Sequence, residues 1–489
     1  MSLIKAENLT FAYPGSYDNI FENASFQIDT DWKLGLVGRN GRGKTTFLKL
    51  LLGEYDYSGR IIRSVKFDYF PYRVDNKSLI TAEILEQICP CCEEWELHRE
   101  LSLLDISADA LYRPFEMLSN GEQTKALLAA LFLNEGHFLL IDEPTNHLDS
   151  AARKMVAAYL KRKKGFILVS HDRSFLDGCV DHILSINKAD IEVQSGNFSS
   201  FYDNFTKRQE SEAAQNARLQ KDIKRLGSSA RQSSVWSDRI EKSKTGAADK
   251  GYVGHKSAKM MKRSKSIEAR RQRALEQKQG LLKNAESTES LKILPLIYRS
   301  DTLATLDKAA VCYGGSPVFK PVSFTIKNGD RIALCGKNGS GKSSLMKLLA
   351  GKEIDYSGKI NIGSGLTVSY LPQDASGLKG SISDFAKHSA IDESIFKALL
   401  QKLGLSKTQF EKDMSDLSQG QKKKVLIAKS LCEKAHLYIW DEPLNYIDIY
   451  SRIQIEELIN EFSPTVLFAE HDASFIENIG AETVELITE

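Results

Sequence analysis

Short apolar runs alternate along this chain with longer segments whose apolar positions recur at helical spacing, and the two halves do so in the same order. Leu34-Gly35-Leu36-Val37, Phe138-Leu139-Leu140-Ile141 and Phe166 to Val169 are matched downstream by Ile332-Ala333-Leu334-Cys335, Leu437-Tyr438-Ile439-Trp440 and Val466 to Ala469. Runs this short read as buried strands. Their alternation with helix-like segments predicts an α/β fold with a largely parallel sheet in each half. Between the halves the pattern changes. Leu219, Ile223 and Leu226 stand at i, i+4 and i+7; further on Ile267, Ala274 and Leu281 recur every seven residues, with Leu275 and Leu282 alongside. That spacing predicts two long helices packed as a hairpin. The stretch from about 227 to 254 is rich in Gly, Ser, Ala and Lys and loses the period, so it reads as the turn or an irregular tip. The resulting domains are 1–204, a linker over 205–294, and 295–489.

Polar motifs follow the apolar runs at a nearly constant offset: Lys44 and Lys342 are 298 apart, Asp142 and Asp441 are 299 apart, and His171 and His471 are 300 apart. Such an offset marks an internal duplication. After the first strand of each copy comes a glycine-rich loop, Gly38-Arg39-Asn40-Gly41-Arg42-Gly43-Lys44-Thr45-Thr46 or Gly336-Lys337-Asn338-Gly339-Ser340-Gly341-Lys342-Ser343-Ser344. Both fit the P-loop pattern: glycines let backbone N–H groups close around phosphates, the lysine reaches the β/γ oxygens, and Thr45 or Ser343 can ligate Mg²⁺.

Later strands end in paired acids, Asp142-Glu143-Pro144 and Asp441-Glu442-Pro443. The first carboxylate can help hold Mg²⁺, and the second can orient or deprotonate an attacking water. Leu118-Ser119-Asn120-Gly121-Glu122 and Leu417-Ser418-Gln419-Gly420-Gln421 each precede a helix-like run. Either they form a second anion cradle or the serines are simple helix N-caps. Asn146-His147-Leu148-Asp149 and Asn445-Tyr446-Ile447-Asp448 follow the acids. Ser170-His171-Asp172 and Glu470-His471-Asp472 come next, and their histidines read as γ-phosphate sensors. Tyr13 and Tyr313 precede the P-loops as adenine-stacking or core rings.

Charge changes the picture only through its distribution. The whole chain carries +2, but residues 205–294 hold 22 Lys and Arg against 10 Asp and Glu, which leaves the flanking domains near −10. A basic run can be a solvated helix face or an anion-binding one. The seven scattered cysteines, the absence of an apolar leader after Met1-Ser2-Leu3, and a longest apolar stretch of only Ala126 to Leu133 point to a reducing cytoplasm and no membrane span. Cys89-Pro90-Cys91-Cys92 lacks the second pair that a zinc or iron–sulfur site needs.

This order of motifs resembles the ATP-binding cassette superfamily over both copies, about four-fifths of the chain. The resemblance implies two cassettes facing head to tail, each ATP between one P-loop and the other cassette's signature. Site one would then join Gly38, Asn40, Gly41, Gly43, Lys44, Thr45, Thr46, Asp142, Glu143 and His171 to Ser418 and Gly420. Site two would join Gly336, Asn338, Gly339, Gly341, Lys342, Ser343, Ser344, Asp441, Glu442 and His471 to Ser119 and Gly121. Tyr370-Leu371-Pro372-Gln373 matches the Q-loop, whose glutamine contributes to Mg²⁺ and water placement, whereas the first copy has Tyr69-Phe70-Pro71-Tyr72 and no glutamine. The two sites are therefore expected to differ kinetically.

Two cassettes with a long basic helical linker look like the ABC-F family rather than a transporter motor or a cluster-bearing recycling ATPase. Within it the chain is similar to Lsa/Vga-type antibiotic-resistance proteins through Trp32 to Lys44, Met261-Lys262-Arg263-Ser264-Lys265 and Tyr438 to Tyr446. That resemblance implies a monomeric cytoplasmic ATPase using ATP and Mg²⁺, with no DNA partner. It implies binding at the tRNA exit site of the bacterial 70S ribosome, to the 50S subunit, 23S rRNA and P-site tRNA. It also implies protection against lincosamides, pleuromutilins and streptogramin A compounds. The tip residues Lys250-Gly251-Tyr252-Val253-Gly254-His255 suit insertion among splayed bases, or Tyr252 packs the turn.

Overall fold

The computed structural model describes residues 3–14, 19–134, 136–146, 148–187, 191–211, 214–215, 218, 221, 291–337 and 339–488. The chain divides into two units, Met1–Phe201 with Thr288–Glu489, and Tyr202–Ser287. The first unit holds both copies of the duplicated pattern.

Each copy is built around a sheet whose central strands are buried on both faces. In the first, six strands run in the order Lys66–Phe70, His137–Asp142, Phe166–Val169, Lys33–Val37, His182–Ile186, Ile191–Ser195. All neighbours are parallel except the last pair. The second copy repeats it with five parallel strands, Val368–Leu371, Leu437–Asp441, Val466–Ala469, Arg331–Cys335 and Glu482–Glu485. Every residue of Phe166–Val169, Leu437–Asp441 and Val466–Ala469 is buried. Parallel strands covered by helices on both faces give continuous apolar runs instead of alternation, which is why these segments were readable as strands.

A largely parallel sheet is only part of the architecture. Each copy adds an antiparallel sheet, with Leu3–Phe11 between Phe21–Asp29 and Ser58–Ile62, or Thr302–Tyr313 between Val322–Lys327 and Tyr356–Ile362. The P-loop helix Lys44–Leu52 lies in one core with both sheets: Phe47, Leu48, Leu50 and Leu51 share a cluster with Ile4, Phe26, Leu34 and Leu36. Each such fully buried side chain contributes about 1.5–3 kcal/mol, so the phosphate loop starts from a rigidly packed helix. A third layer, Thr81–Ile88, Glu94–Leu103 and Asn120–Leu131, recurs as Ile382–His388, Glu393–Lys402 and Gln419–Cys432.

In the second unit, residues 202–211, 214–215, 218 and 221 are helical. The seven-residue repeat at Ile267, Ala274 and Leu281, the positions Leu219, Ile223, Leu226, Leu275 and Leu282, Met261–Lys265, and the tip with Tyr252 lie outside the described residues, as do Asn338 and His147.

Candidate functional site

Each P-loop crosses from a buried strand into a helix through a glycine that only glycine tolerates. Gly43 and Gly341 stand at the helix N-caps with φ of 87° and 85°. A Cβ on Gly43 would meet the Ile20 side chain at 2.5 Å, and one on Gly341 would meet Phe319 at 3.0 Å. Positive φ and crowding together exclude other residues. The lysines that open the two helices fold back over their own loops, Lys44 Nζ donating to the Gly38 carbonyl at 2.8 Å and Lys342 Nζ to the Gly336 carbonyl at 2.8 Å. Burial lowers both lysine pKa values, while neighbouring carboxylates, Asp448 for Lys44 and Glu442 for Lys342, work the other way.

The paired acids arrive at the same place from the adjoining strands. Thr45 Oγ1 donates to Asp142 Oδ2 at 2.8 Å, and Ser343 Oγ donates to Asp441 Oδ1 at 3.0 Å. The following glutamates have left-handed backbones, φ 51° at Glu143 and 46° at Glu442. Non-glycine residues rarely keep that conformation unless a site requires it. Burial, then the adjacent Asp142, pushes the Glu143 carboxyl up to about 8. His171 Nε2 lies 3.2 Å from Glu143 Oε1, but the two are not aligned as a hydrogen bond. Glu442 is held differently: Gln373 Nε2 donates to its Oε2 at 2.7 Å, and the Asn445 amide donates to the same oxygen. Burial, aided by Lys342, pulls the His471 imidazole down to about 4, and burial with Lys44 takes His171 well below its ordinary value. Both rings are neutral at pH 7.

Site two is a cavity of about 490 Å³. From the second copy it is lined by Gly339, Gly341, Lys342, Ser343, Ser344, Tyr313, Gln373, Glu442 and His471; from the first come Asn120, Asn146, Leu148 and Arg153. Of the expected Ser119-Asn120-Gly121 segment, Asn120 is on the wall; Ser119 and Gly121, the two residues the sequence singles out, do not line it. Ser340 Oγ, Asp441 Oδ2 and His471 Nε2 are buried there without a hydrogen-bond partner. Unpaired buried polar atoms are uncommon. Around a phosphate loop the Ser340 hydroxyl and the His471 ring can donate to a polyanionic ligand, and the Asp441 oxygen, with the Ser343 hydroxyl, suits a hard divalent cation.

At site one the copies meet directly. Asn40 Nδ2 donates to the Tyr446 carbonyl at 2.7 Å, and the Asn40 N–H to Asp448 Oδ2 at 3.4 Å. Gly420 lies beneath this contact, where a Cβ would fall 2.5 Å from the Tyr446 carbonyl. Ser119 and Ser418 both close capping boxes, with Glu122 and Gln421. The N-cap reading is therefore realised in both copies, and the helix starts lie beside the opposite P-loop, Asn120 on the site-two wall and Gly420 against Asn40. Tyr13 and Tyr313 hydrogen-bond Thr46 and Ser344 at 2.7 and 2.9 Å. Tyr313 is 59% exposed on the cavity wall, whereas Tyr13 packs edge-on against Phe11 and Tyr55.

Several residues here carried no role in the sequence reading. Arg153 and Arg452 bond to Asp172 and Asp472 at 3.0 and 2.9 Å and donate to the Leu148 and Ile447 carbonyls, fixing the turns after the acids. Asp448 is paired with Lys424 at 2.6 Å, and Lys423 donates to three carbonyls. Arg173 pairs with Glu456 across the copies.

The ABC transporter family profile matches residues 21–146 and 319–445, more than half of the chain. The chain is 27% identical to the ribosome protection protein VmlR of Bacillus subtilis (strain 168), over 95% of this chain and 84% of that one. It is 25% identical to ABC transporter F family member 2 of Arabidopsis thaliana, over 99% and 76%. Among solved structures the RNase-L Inhibitor superposes with a TM-score of 0.61 at 21% identity, covering 98% of this chain and 87% of that one, a likeness of fold. With two phosphate loops, each beside its paired acids and facing the other copy, the chain belongs to the ABC transporter family as a tandem ATP-binding cassette protein of the ABC-F kind, and it is an ATPase.

Proposed function

We propose that the two cassettes bind and hydrolyse ATP at composite sites and that this cycle drives ribosomal protection. Lys44 and Lys342 leave their loop carbonyls to meet phosphate oxygens, joined by the N–H groups of Gly41, Gly43, Gly339 and Gly341. Thr45 with Asp142, and Ser343 with Asp441 and Gln373, would hold Mg²⁺, which would neutralise phosphate charge. Glu143 and Glu442 accept the proton of the attacking water, and the neutral His171 and His471 donate to the γ-phosphate. The opposing helix starts at Ser418-Gly420 and Ser119-Gly121 close over the nucleotide.

Closing favours a ribosome-bound shape and hydrolysis reopens it, so nucleotide acts as a population switch. The linker's excess of twelve positive charges suits 23S rRNA and P-site tRNA. From the tRNA exit site it would reach the peptidyl-transferase centre and displace lincosamides, pleuromutilins or streptogramin A. One observation carries this reading: a resemblance to a ribosome protection protein over 95% of the chain, both cassettes and the basic linker together. Among the described residues no helix is long and apolar enough to cross a membrane, in keeping with a cytoplasmic factor. A housekeeping translation factor without a resistance role is the second reading, since the identity to the ribosome protection protein is 27%.

Expression in a drug-sensitive bacterium separates the two. The resistance reading expects raised inhibitory concentrations with the native chain and none with Glu143→Gln/Glu442→Gln. Ribosome association with unchanged inhibitory concentrations would select the housekeeping reading.

A further inference from the structure

The helix Gln419–Cys432 carries a run of three lysines whose side chains are all buried, and among the described residues no carboxylate is paired with the middle one. Lys423 is 2% exposed. Its ammonium donates to the Pro372 carbonyl at 2.9 Å, the Gln373 carbonyl at 3.2 Å and the Asp441 carbonyl at 3.1 Å. Three N–H donors thus meet three acceptors, which is the full capacity of the group. The acceptors belong to two segments: the loop after strand Val368–Leu371, and the end of strand Leu437–Asp441 that delivers Glu442.

Burying an ammonium is costly, and here three carbonyl acceptors offset that cost without an ion pair, which ties the lysine to the two backbone segments that supply them. What depends on it here is the placement of one side chain. With the Pro372–Gln373 backbone tied to the acid strand, the Gln373 amide stands 2.7 Å from Glu442 Oε2. The first cassette lacks both members of the arrangement: Thr124 occupies the lysine's position in its helix, and Tyr72 that of the glutamine. Thr124 is too short to span two backbone segments, and there is no glutamine to place.

We infer that Lys423 is a positioning residue of site two, which clamps the loop carbonyls so that Gln373 reaches Glu442. The inference rests on the reading of Glu442 as the acceptor of the water's proton. It predicts a defect in turnover more than in nucleotide affinity, because the Lys423 ammonium spends its three donors on backbone carbonyls behind the cavity wall.

The test uses the full chain with Glu143→Gln, so that the remaining hydrolysis reports site two. Lys423→Met should lower kcat about tenfold while KM for ATP stays within about twofold. Lys423→Gln, whose amide can still reach one carbonyl, should recover part of the loss. Adding Gln373→Ala to Lys423→Met should cost no more than Gln373→Ala alone, since both act through one contact. If Lys423→Met does not fold, the same cycle run with Lys423→Gln decides. Native kcat in the lysine variant, or two defects that multiply, would overturn the inference. Undiminished hydrolysis in Glu442→Gln on the same background would instead overturn the reading of site two, so the two failures are distinguishable.

Discussion

Lys424 offers the most direct test of how the two cassettes are held for chemistry. Its ammonium lies 2.6 Å from Asp448 Oδ2 and donates to the Leu403 carbonyl at 2.6 Å, with the pair's side chains 3% and 0% exposed. Asp448 also caps the next helix through the Ser451 N–H at 3.0 Å and accepts from the Asn40 N–H of the opposite P-loop. Burial alone would raise its pKa, but Lys424, by charge and hydrogen bond, and then Lys44 hold it well below the usual carboxylate range. Lys424→Met leaves a buried carboxylate uncompensated, at a cost of about 3–5 kcal/mol. For a cassette of this size that is roughly a 10 °C fall in Tm. Lys424→Met/Asp448→Asn should regain most of it, and Lys125→Met, which removes a hydrogen bond to the Leu104 carbonyl, should cost only about 1–2 kcal/mol. The sign with pH follows. A depressed carboxylate stabilises the native chain above the unfolded pKa, and that contribution fades only as pH falls below it, so the native Tm owes no slope to Asp448 between about pH 5 and 8. Without Lys424 the buried carboxyl is raised instead, so the variant's deficit should shrink as pH falls across that range. Calorimetry of the four proteins at both pH values measures this. A Lys424→Met chain as stable as the native one, or a double variant as unstable as the single, would refute the reasoning.

Three further outcomes are expected. Glu143→Gln/Glu442→Gln should retain bound ATP while phosphate release collapses, and normal release would remove both residues from the catalytic role. In a Glu442→Gln chain, kcat/KM should rise roughly 50-fold from about pH 6 to pH 8, because a carboxyl pushed up to about 8 is a proton acceptor only once ionised and kcat/KM reports the free enzyme; a flat profile would exclude Glu143 as the base. Gly420→Ala should impair closure at site one, since its Cβ would fall 2.5 Å from the Tyr446 carbonyl, and ATP-induced compaction by small-angle scattering equal to that of the native chain would contradict it.

The P-loops, paired acids and histidines were legible because each sits where a buried apolar strand ends, and a strand end in a parallel sheet is where ligand chemistry collects. Neighbours brought close by packing were not. Lys422-Lys423-Lys424 reads as a solvated stripe by composition, yet all three are buried because this helix is covered on several sides and their aliphatic stems lie in the core. The antiparallel sheets were hidden for a different reason. Leu3–Phe11 buries alternate positions with two register shifts, so its period is broken where bulges intervene. Nor does any local signal announce that Asn40 reaches Tyr446, some four hundred residues away.

Duplication placed the same backbone twice, but side chains around the two glutamates have diverged together. Glu442 is surrounded by amide donors, Gln373 and Asn445, and its loop is tied down by Lys423. Glu143 has His171 beside it and Tyr69 donating to its neighbour Asp142 at 3.1 Å, with burial forcing its carboxyl towards the neutral form. A neutral carboxyl cannot take a proton from water. Site one must therefore gain positive charge or solvent before Glu143 can act; Lys44 already opposes the upward shift by its charge, and under the proposed cycle nucleotide entry would draw it off the Gly38 carbonyl. Site two has its acceptor already oriented. The order this implies, with site two chemically ready and site one dependent on rearrangement at the cassette contact, follows from two side-chain differences, Tyr72 for Gln373 and Thr124 for Lys423, rather than from any difference in fold.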